Sequence, residues 1–533
     1  MKTLPAERNH FAENFLLLEH SQTETLAPQP CYKMMNILRL KSILFICTGW
    51  LIPNFAFAST IGIATGSKTA DGRPLLFKTR DRTDAYPADV SYFPGAINAF
   101  AYVYHHNAGQ AHNRVRMGVN ERGFGVVFSD SENLEGAGTG PSGSQLAAIA
   151  LKICETVQDF RDLLDDTNGA RNAHNHYGVI DANGEGALFE VSGFSYFELP
   201  VIDSVATMAN TAKFHPDAGP PAGGSTSPDR EARAAYLLNN GPAAGLDYRY
   251  FVKDIMQDFS RSQEDEDAMP VGQYFTNPVL SRYKTASGCV IRGAKPGDDP
   301  LIESIMWLAM SEPSLTVTLP FPVIVDQVFD FVKPSAPDDG LPGTSDRVRQ
   351  LIYDYTNGRY ADRYADTFVL IDIREGAFPI EDSLFNSFDE QIITWRTLPQ
   401  DSAKARMIEW AAATQFWAKQ QYDSLYQRFV TGIEPASDHS IAGYRLFANY
   451  PNPFNSSTTI AFELPRSAPV SLEIYNISGK VMWRISKKQL SAGHHLISFD
   501  GNDLRGKPLP GGIYFYRLTA GIFSQTHKMV ILP

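Results

Sequence analysis

Ser59 follows Ala56, Phe57 and Ala58, a small-x-small run of the kind after which exported chains are cut. Cleavage there makes a mid-chain serine the first residue of the mature protein. A serine hydroxyl is a weak nucleophile at neutral pH unless a base takes its proton. A free α-amine, with a reference pKa of about 7.7–8.0, is such a base on the same residue, so no separate histidine is needed. The leader that sets this up is residues 34–58. It has a start at Met34 or Met35, a basic region at Arg39 and Lys41, and an apolar run over 42–50. That run is too short for a permanent transmembrane helix. Residues 1–33 read as an upstream extension ahead of a misassigned start.

At 533 residues the chain is long enough for two or three cores, and its 43% hydrophobic and 12% aromatic content is that of a globular protein. A net charge of -12 without a long basic run argues against nucleic acid as a partner, because phosphate neutralisation needs clustered Lys and Arg. Of four cysteines, Cys31 and Cys47 precede Ser59. Cys154 and Cys289 remain, as buried thiols or one bridge, and make no metal-binding pair.

The elements that must position Ser59 are those of an α+β body over residues 59–333. Short β-rich runs alternate with helical patterns, the clearest helix spanning 144–164 on Leu146, Ile149, Ile153, Val157 and Phe160. Residues 334–431 read as a helical extension packed on that body, with Trp395, Trp410 and Trp417 as anchors. A linker over 432–443 leads to residues 444–533. There, strands at 459–464, 470–475, 495–499, 513–518 and 528–531 are separated by turn residues, the pattern of a small antiparallel Ig-like β-sandwich.

This last segment resembles the C-terminal (Por) sorting domain of the type IX secretion system. The matching residues are Asn449-Tyr450-Pro451-Asn452-Pro453-Phe454-Asn455, then Ile474-Tyr475-Asn476 with Gly479, then Gly493-His494-His495 and Asp500-Gly501. Gly512-Ile513-Tyr514-Phe515-Tyr516-Arg517-Leu518 and Lys528-Met529-Val530 complete them. The resemblance implies Sec export, the type IX machinery as a partner, and a secreted or surface-attached product.

The body resembles the N-terminal-nucleophile (Ntn) hydrolases, in particular the choloylglycine hydrolase, penicillin acylase, acyltransferase-like and dipeptidase group. Five ordered motifs carry this. Ser59-Thr60, Thr69-Ala70-Asp71-Gly72 and Leu75-Leu76-Phe77-Lys78-Thr79-Arg80-Asp81-Arg82 look like that group's opening strand pair. Gly118-Val119-Asn120-Glu121-Arg122-Gly123 looks like a hairpin, and 177–191 like a further strand pair. Ala209-Asn210 and the run 227–236 with Arg230 and Arg233 follow. The fold this implies is a four-layer αββα sandwich, and the activity is hydrolysis of a linear amide or peptide bond through an acyl-enzyme on Ser59.

Carried over position by position, the resemblance makes Ser59 the nucleophile and its amine the base. Asp81 orients that amine, Asn210 binds the oxyanion through its side-chain NH2, and Arg230 holds the carboxylate network. Lys78 tunes the site electrostatically, Ser129 lines the oxyanion hole, and Asn120 belongs to the hairpin. No cofactor is implied, and the partner is a small amide or peptide. Two departures stand out: Ser59 where many relatives have cysteine, and Thr79 where Asn is frequent. His105, His106, His174 and His176 lack a carboxylate in a ligand arrangement, so no catalytic metal is expected. A secreted binding protein without catalysis, or an acyltransferase, fits the same residues.

Overall fold

The computed structural model describes residues 59–532, apart from 83–87, 110–112, 222–224, 261–272, 335–339, 354, 357–358, 361–363, 432–443, 448, 450, 456, 465–466, 478, 492 and 521–522. The upstream extension, leader and linker expected from sequence lie outside the described residues.

Strands β1 (Ser59–Ala64) and β2 (Leu75–Asp81) are buried along their whole length. They sit inside a six-stranded antiparallel sheet whose other members are Val205–Met208, Thr285–Arg292, Ile305–Ala309 and Leu319–Pro322. A seven-stranded meander faces it. Its strands are β3 (Ala88–Phe93), β4 (Tyr102–Asn107), β5 (Met117–Asn120), β6 (Gly125–Asp130), β7 (Asn175–Ile180), β8 (Gly186–Val191) and β9 (Tyr196–Val201). Alternation along each strand divides the side chains between two faces. Ile61, Ile63, Leu76, Val103, Val127, Ile180 and Leu188 fill the space between the sheets. The sheets approach so closely that a Cβ on Gly178 would lie 2.8 Å from Ile61 and from Leu76.

Helices cover both outer faces. α1 (Gly143–Ile153) and α2 (Val157–Asp166) close a second core with Tyr102, Tyr104, Val126, Phe128 and Tyr177 on the meander. On the other side, Leu238 of α3 (Ser227–Asn239) meets the Gly62–Phe77 contact of the first sheet. Trp307 stacks on Tyr248 at 5.2 Å and takes the edge of Phe385 from α5 (Thr367–Trp395). α4 (Gly340–Ile352) and α6 (Gln400–Thr431) share that core through Val348, Met407 and Tyr422. The layers therefore run helix, sheet, sheet, helix.

Two expectations are corrected. The helix expected over 144–164 is two helices, because Cys154 is extended and Thr156 caps a new start. Its hydroxyl accepts from Asp159 N at 3.1 Å while the Asp159 carboxylate accepts from Thr156 N at 2.9 Å, a reciprocal cap that outcompetes helix continuation. Trp395 and Trp410 do meet edge to face at 5.2 Å in the core, but Trp417 is 38% exposed on α6.

The C-terminal segment forms a three-stranded and a four-stranded antiparallel sheet around one core containing Phe462, Leu472, Tyr516, Leu518 and Met529. Val481–Leu490, absent from the sequence expectation, is an edge strand of the larger sheet. Its Lys-Lys-Gln stretch obscures the alternation and suits an unpaired edge.

Candidate active site

The space between the sheets turns polar at one end. Ser59 and Arg80 are opposed across the β1–β2 ladder, two positions beyond the Ile61–Lys78 pair, so all four side chains share one face. From the meander, His105, Asn107, Ser129, His176 and Glu190 lie on the facing side by the same alternation. A small cleft opens there, lined by Ser59, Lys78, Arg80, Asp81, Arg116, Phe128, Ser129 and Asp130.

Ser59 is 4% exposed, and its nitrogen donates to Asn210 Oδ1 at 2.8 Å. That nitrogen is a peptide N–H here, and it marks the place an α-amine would take in a chain cut before Ser59. Asn210 is fixed from every side. Arg230 donates to its Oδ1 at 3.1 Å, its Nδ2 donates to Asp130 O at 2.7 Å, and its backbone N–H donates to the Ser227 hydroxyl at 2.6 Å. The Ala209 carbonyl just before it accepts from His176 Nδ1 and, at 3.3 Å, from Ser129 Oγ. Arg230 also donates to Thr60 Oγ1 at 2.7 Å and approaches Asp81 at 4.0 Å.

Asp81 sits on the helix-facing side of β2. Arg282 donates to it through Nε at 2.7 Å, and Thr285 through Oγ1 at 2.7 Å. Burial alone would raise this carboxyl's pKa, but Arg282 and Arg230 outweigh it and hold the group below its ordinary value. Burial and then the Arg282 charge bring Arg230 down to about 10, so it stays a cation at neutral pH. Lys78 is buried over the Phe128 ring at 4.9 Å and donates to Arg116 O at 3.4 Å. Burial, then Arg80 and Arg116, push its pKa well below that of an ordinary lysine.

Ser59, Asp81, Asn210 and Arg230 thus converge, with Lys78 and Ser129 on the cleft wall. Asn120 does not join them. Its Nδ2 donates to Leu151 O and Cys154 O, and its Oδ1 accepts from Arg122 N and Phe124 N, so it ties the β5–β6 turn to the end of α1. Glycine at 123 fits that turn, having a φ of 83°. Cys154 and Cys289 are free and buried. Among the described residues, the one group able to surround a metal ion is Asp372, Glu375 and Glu463, none of which lines the cleft.

Sequence reasoning missed Arg80, Arg116, Asp130 and Arg282. Arg80 was within reach, since strand alternation from Lys78 puts it on the same face. Arg116 precedes β5 and Arg282 precedes Thr285–Arg292, each in a loop without periodicity.

Residues 448–532 match the family model described as the secretion system C-terminal sorting domain. No curated protein matches the chain significantly. Among solved structures, the chain is similar to conjugated bile acid hydrolase from Clostridium perfringens at 13% identity. The match covers 49% of this chain and 92% of that one, with a TM-score of 0.33. Penicillin V acylase from Agrobacterium tumefaciens matches at 15% identity over 49% and 86%, also at 0.33. Dimeric latent PorU from Porphyromonas gingivalis matches at 19% identity over 18% and 10%, at 0.16. No described helix is long and apolar enough to cross a membrane. The C-terminal segment is a type IX secretion sorting domain, and the chain is a secreted or cell-surface protein of that route.

Proposed function

We propose that the chain is an exported amide hydrolase whose nucleophile is Ser59, activated by its own α-amine once the leader is removed. The observation that carries this reading is the Ser59 nitrogen held 2.8 Å from Asn210 Oδ1 at the edge of a cleft that Ser59 itself lines. A neutral amine has two N–H bonds and one lone pair. With one N–H directed at Asn210, the nitrogen is oriented and its lone pair is left for the hydroxyl proton of the same residue.

Attack of Ser59 Oγ on the amide carbon then passes the hydroxyl proton to the amine. Collapse of the tetrahedral intermediate returns that proton to the leaving nitrogen, and water releases the acid from the serine ester. The guanidinium groups of Arg80, Arg116 and Arg230 around it disfavour an ammonium form at the Ser59 nitrogen. Asn210 Nδ2 and the cationic wall support the oxyanion. Asp81 acts one step back, by fixing Arg230 and Arg282. The resemblance of residues 59–323 to Ntn hydrolases agrees with the roles of Ser59 and Arg230, while the orienting of the amine that it gives to Asp81 falls here to Asn210.

Ser59→Ala, in protein whose mature N-terminus is verified at residue 59, lowers turnover of an N-acyl amide panel by on the order of 10⁴ or more. Unchanged turnover in that variant refutes the mechanism.

A further inference from the structure

Arg282 is a joint behind the site. Besides Asp81, its guanidinium reaches the Thr226 hydroxyl at 2.9 Å, and Thr226 is the residue from which α3 starts. That helix carries Ser227 and Arg230, two of the groups that hold Asn210. One side chain therefore sets both the carboxylate behind Arg230 and the origin of the helix that fixes Asn210. Arg282 itself stands in a loop, and a loop side chain is placed only as firmly as the backbone beside it.

The backbone on both sides of Arg282 is held from the helical segment. Arg349 of α4 donates through Nη2 to the carbonyl of Tyr283, the residue after it. Ser281, the residue before it, donates to Ser314 Oγ at 2.9 Å and accepts from Ser314 N at 3.1 Å, and the Ser314 hydroxyl donates to Glu312 at 3.2 Å. Glu312 in turn accepts from Tyr353 at 2.8 Å and lies 3.6 Å from Arg349. Every one of these side chains is buried. Apolar packing would hold α4 to the body as firmly, since a buried ion pair adds little net stability. What hydrogen bonds add is direction.

We propose that α4 belongs to the catalytic apparatus, with Arg349 and Glu312 as positioning residues that set Arg282 and, through it, Asn210. The proposal rests on the amide-hydrolase reading for the reaction it serves. Its own content is a coupling between Arg349 on the helical segment and Asn210 beside the nucleophile.

A double-substitution cycle in the processed full chain tests it. Arg349→Gln is expected to lower kcat for an N-acyl amide by about 10–100-fold with KM changed far less, and Arg349→Lys to recover part of the loss. In an Asn210→Ala background, Arg349→Gln lowers kcat about twofold or less, because the group it acts through is gone. Tyr353→Phe, which removes only the hydroxyl bound to Glu312, repeats the pattern in a variant gentler on folding.

Arg396→Gln is the control. Arg396 follows α5 and donates to buried Glu303 at 3.0 Å, beside Arg292, whose strand partner Leu75 lies at the opposite end of β2 from Asp81. This variant breaks an ion pair of the same kind between the same segment and the body, and kcat is expected to stay within about twofold. No loss from Arg349→Gln and Tyr353→Phe, equal losses in Arg349→Gln and Arg396→Gln, or a full further loss on top of Asn210→Ala overturns the proposal.

A signal from Asn210 itself separates the coupling from the chemistry. In protein with isotopically labelled asparagine, the Asn210 side-chain amide resonance, assigned as the one missing from Asn210→Ala, is expected to shift in Arg349→Gln and to stay in Arg396→Gln. That shift, with no amide turned over by the unsubstituted protein, keeps the positioning of Asn210 and sinks the hydrolase. Turnover lost in Ser59→Ala but indifferent to Arg349→Gln, with the resonance unmoved, does the reverse.

Discussion

The contact between the Ser59 nitrogen and Asn210 Oδ1 carries more of the account than any other pair, because the side chain of Asn210 is asked to orient the base and to face the oxyanion at once. Its other contacts explain how: Arg230 and Asp130 O hold the amide plane, so the group is preorganised before substrate arrives. Asn210→Ala is therefore expected to lower kcat by about 10²–10³-fold, with KM changed far less and the N-terminus still at residue 59. Steady-state kinetics on the processed variant check this, and a KM effect alone would assign Asn210 to substrate binding instead. At this scale the sequence was readable where a residue type has a restricted chemical use. Ser59 behind a small-x-small run, Asp81, Asn210 and Arg230 each stood in a short motif, and the structure brings them together. Arg116 and Arg282 were not readable, since an arginine in an aperiodic loop has no feature that distinguishes a cleft wall from solvent.

The elements work by opposing two sheets whose alternation sends apolar side chains into the middle of the gap and polar ones to one end. Leu76, Lys78 and Arg80 show the change along a single strand, and Leu188 and Glu190 show it on the facing one. This alternation could be read from the residues, whereas the partner strands set by the fold could not. The break between α1 and α2 was hidden for a related reason. Ile153, Val157 and Phe160 keep a helical spacing across it, and the decisive signal was the capping pair Thr156 and Asp159. Asp181 reinforces the break by accepting from Val157 N at 2.9 Å, tying the new helix start to the β7–β8 turn. Thr156→Ala should cost about 1 kcal/mol of stability by removing one side of the cap. Chemical denaturation measures it, and no loss would mean that Asp159 and Asp181 suffice to start α2.

Across the whole molecule, the helical segment 340–431 is fastened to the body through Glu312. This carboxyl is fully buried, accepts from Tyr353 of the helical segment at 2.8 Å, and lies 3.6 Å from Arg349 of α4. Burial, only partly offset by Arg349, pushes its pKa up from 4.5 to about 7. The folded chain thus holds this proton more tightly than the unfolded one. Its contribution is fully present below pH 4.5 and is lost as pH rises through about 7. The change amounts to about 3 kcal/mol. Glu312→Gln should flatten that part of the stability–pH curve, and an unchanged slope in denaturant titrations across the window would place the effect elsewhere. At the other end of the chain the sorting domain fixes the route, and in the proposed function the removal of a leader on that route uncovers Ser59. That proposal makes export and activation one event, and one measurement addresses both. Mass spectrometry of the N-terminal peptide, taken from exported protein quenched during turnover of an activated N-acyl substrate, should find a peptide that begins at Ser59 and carries the acyl group on that residue. A mature chain beginning elsewhere, or an acyl group on any other residue, would contradict the account.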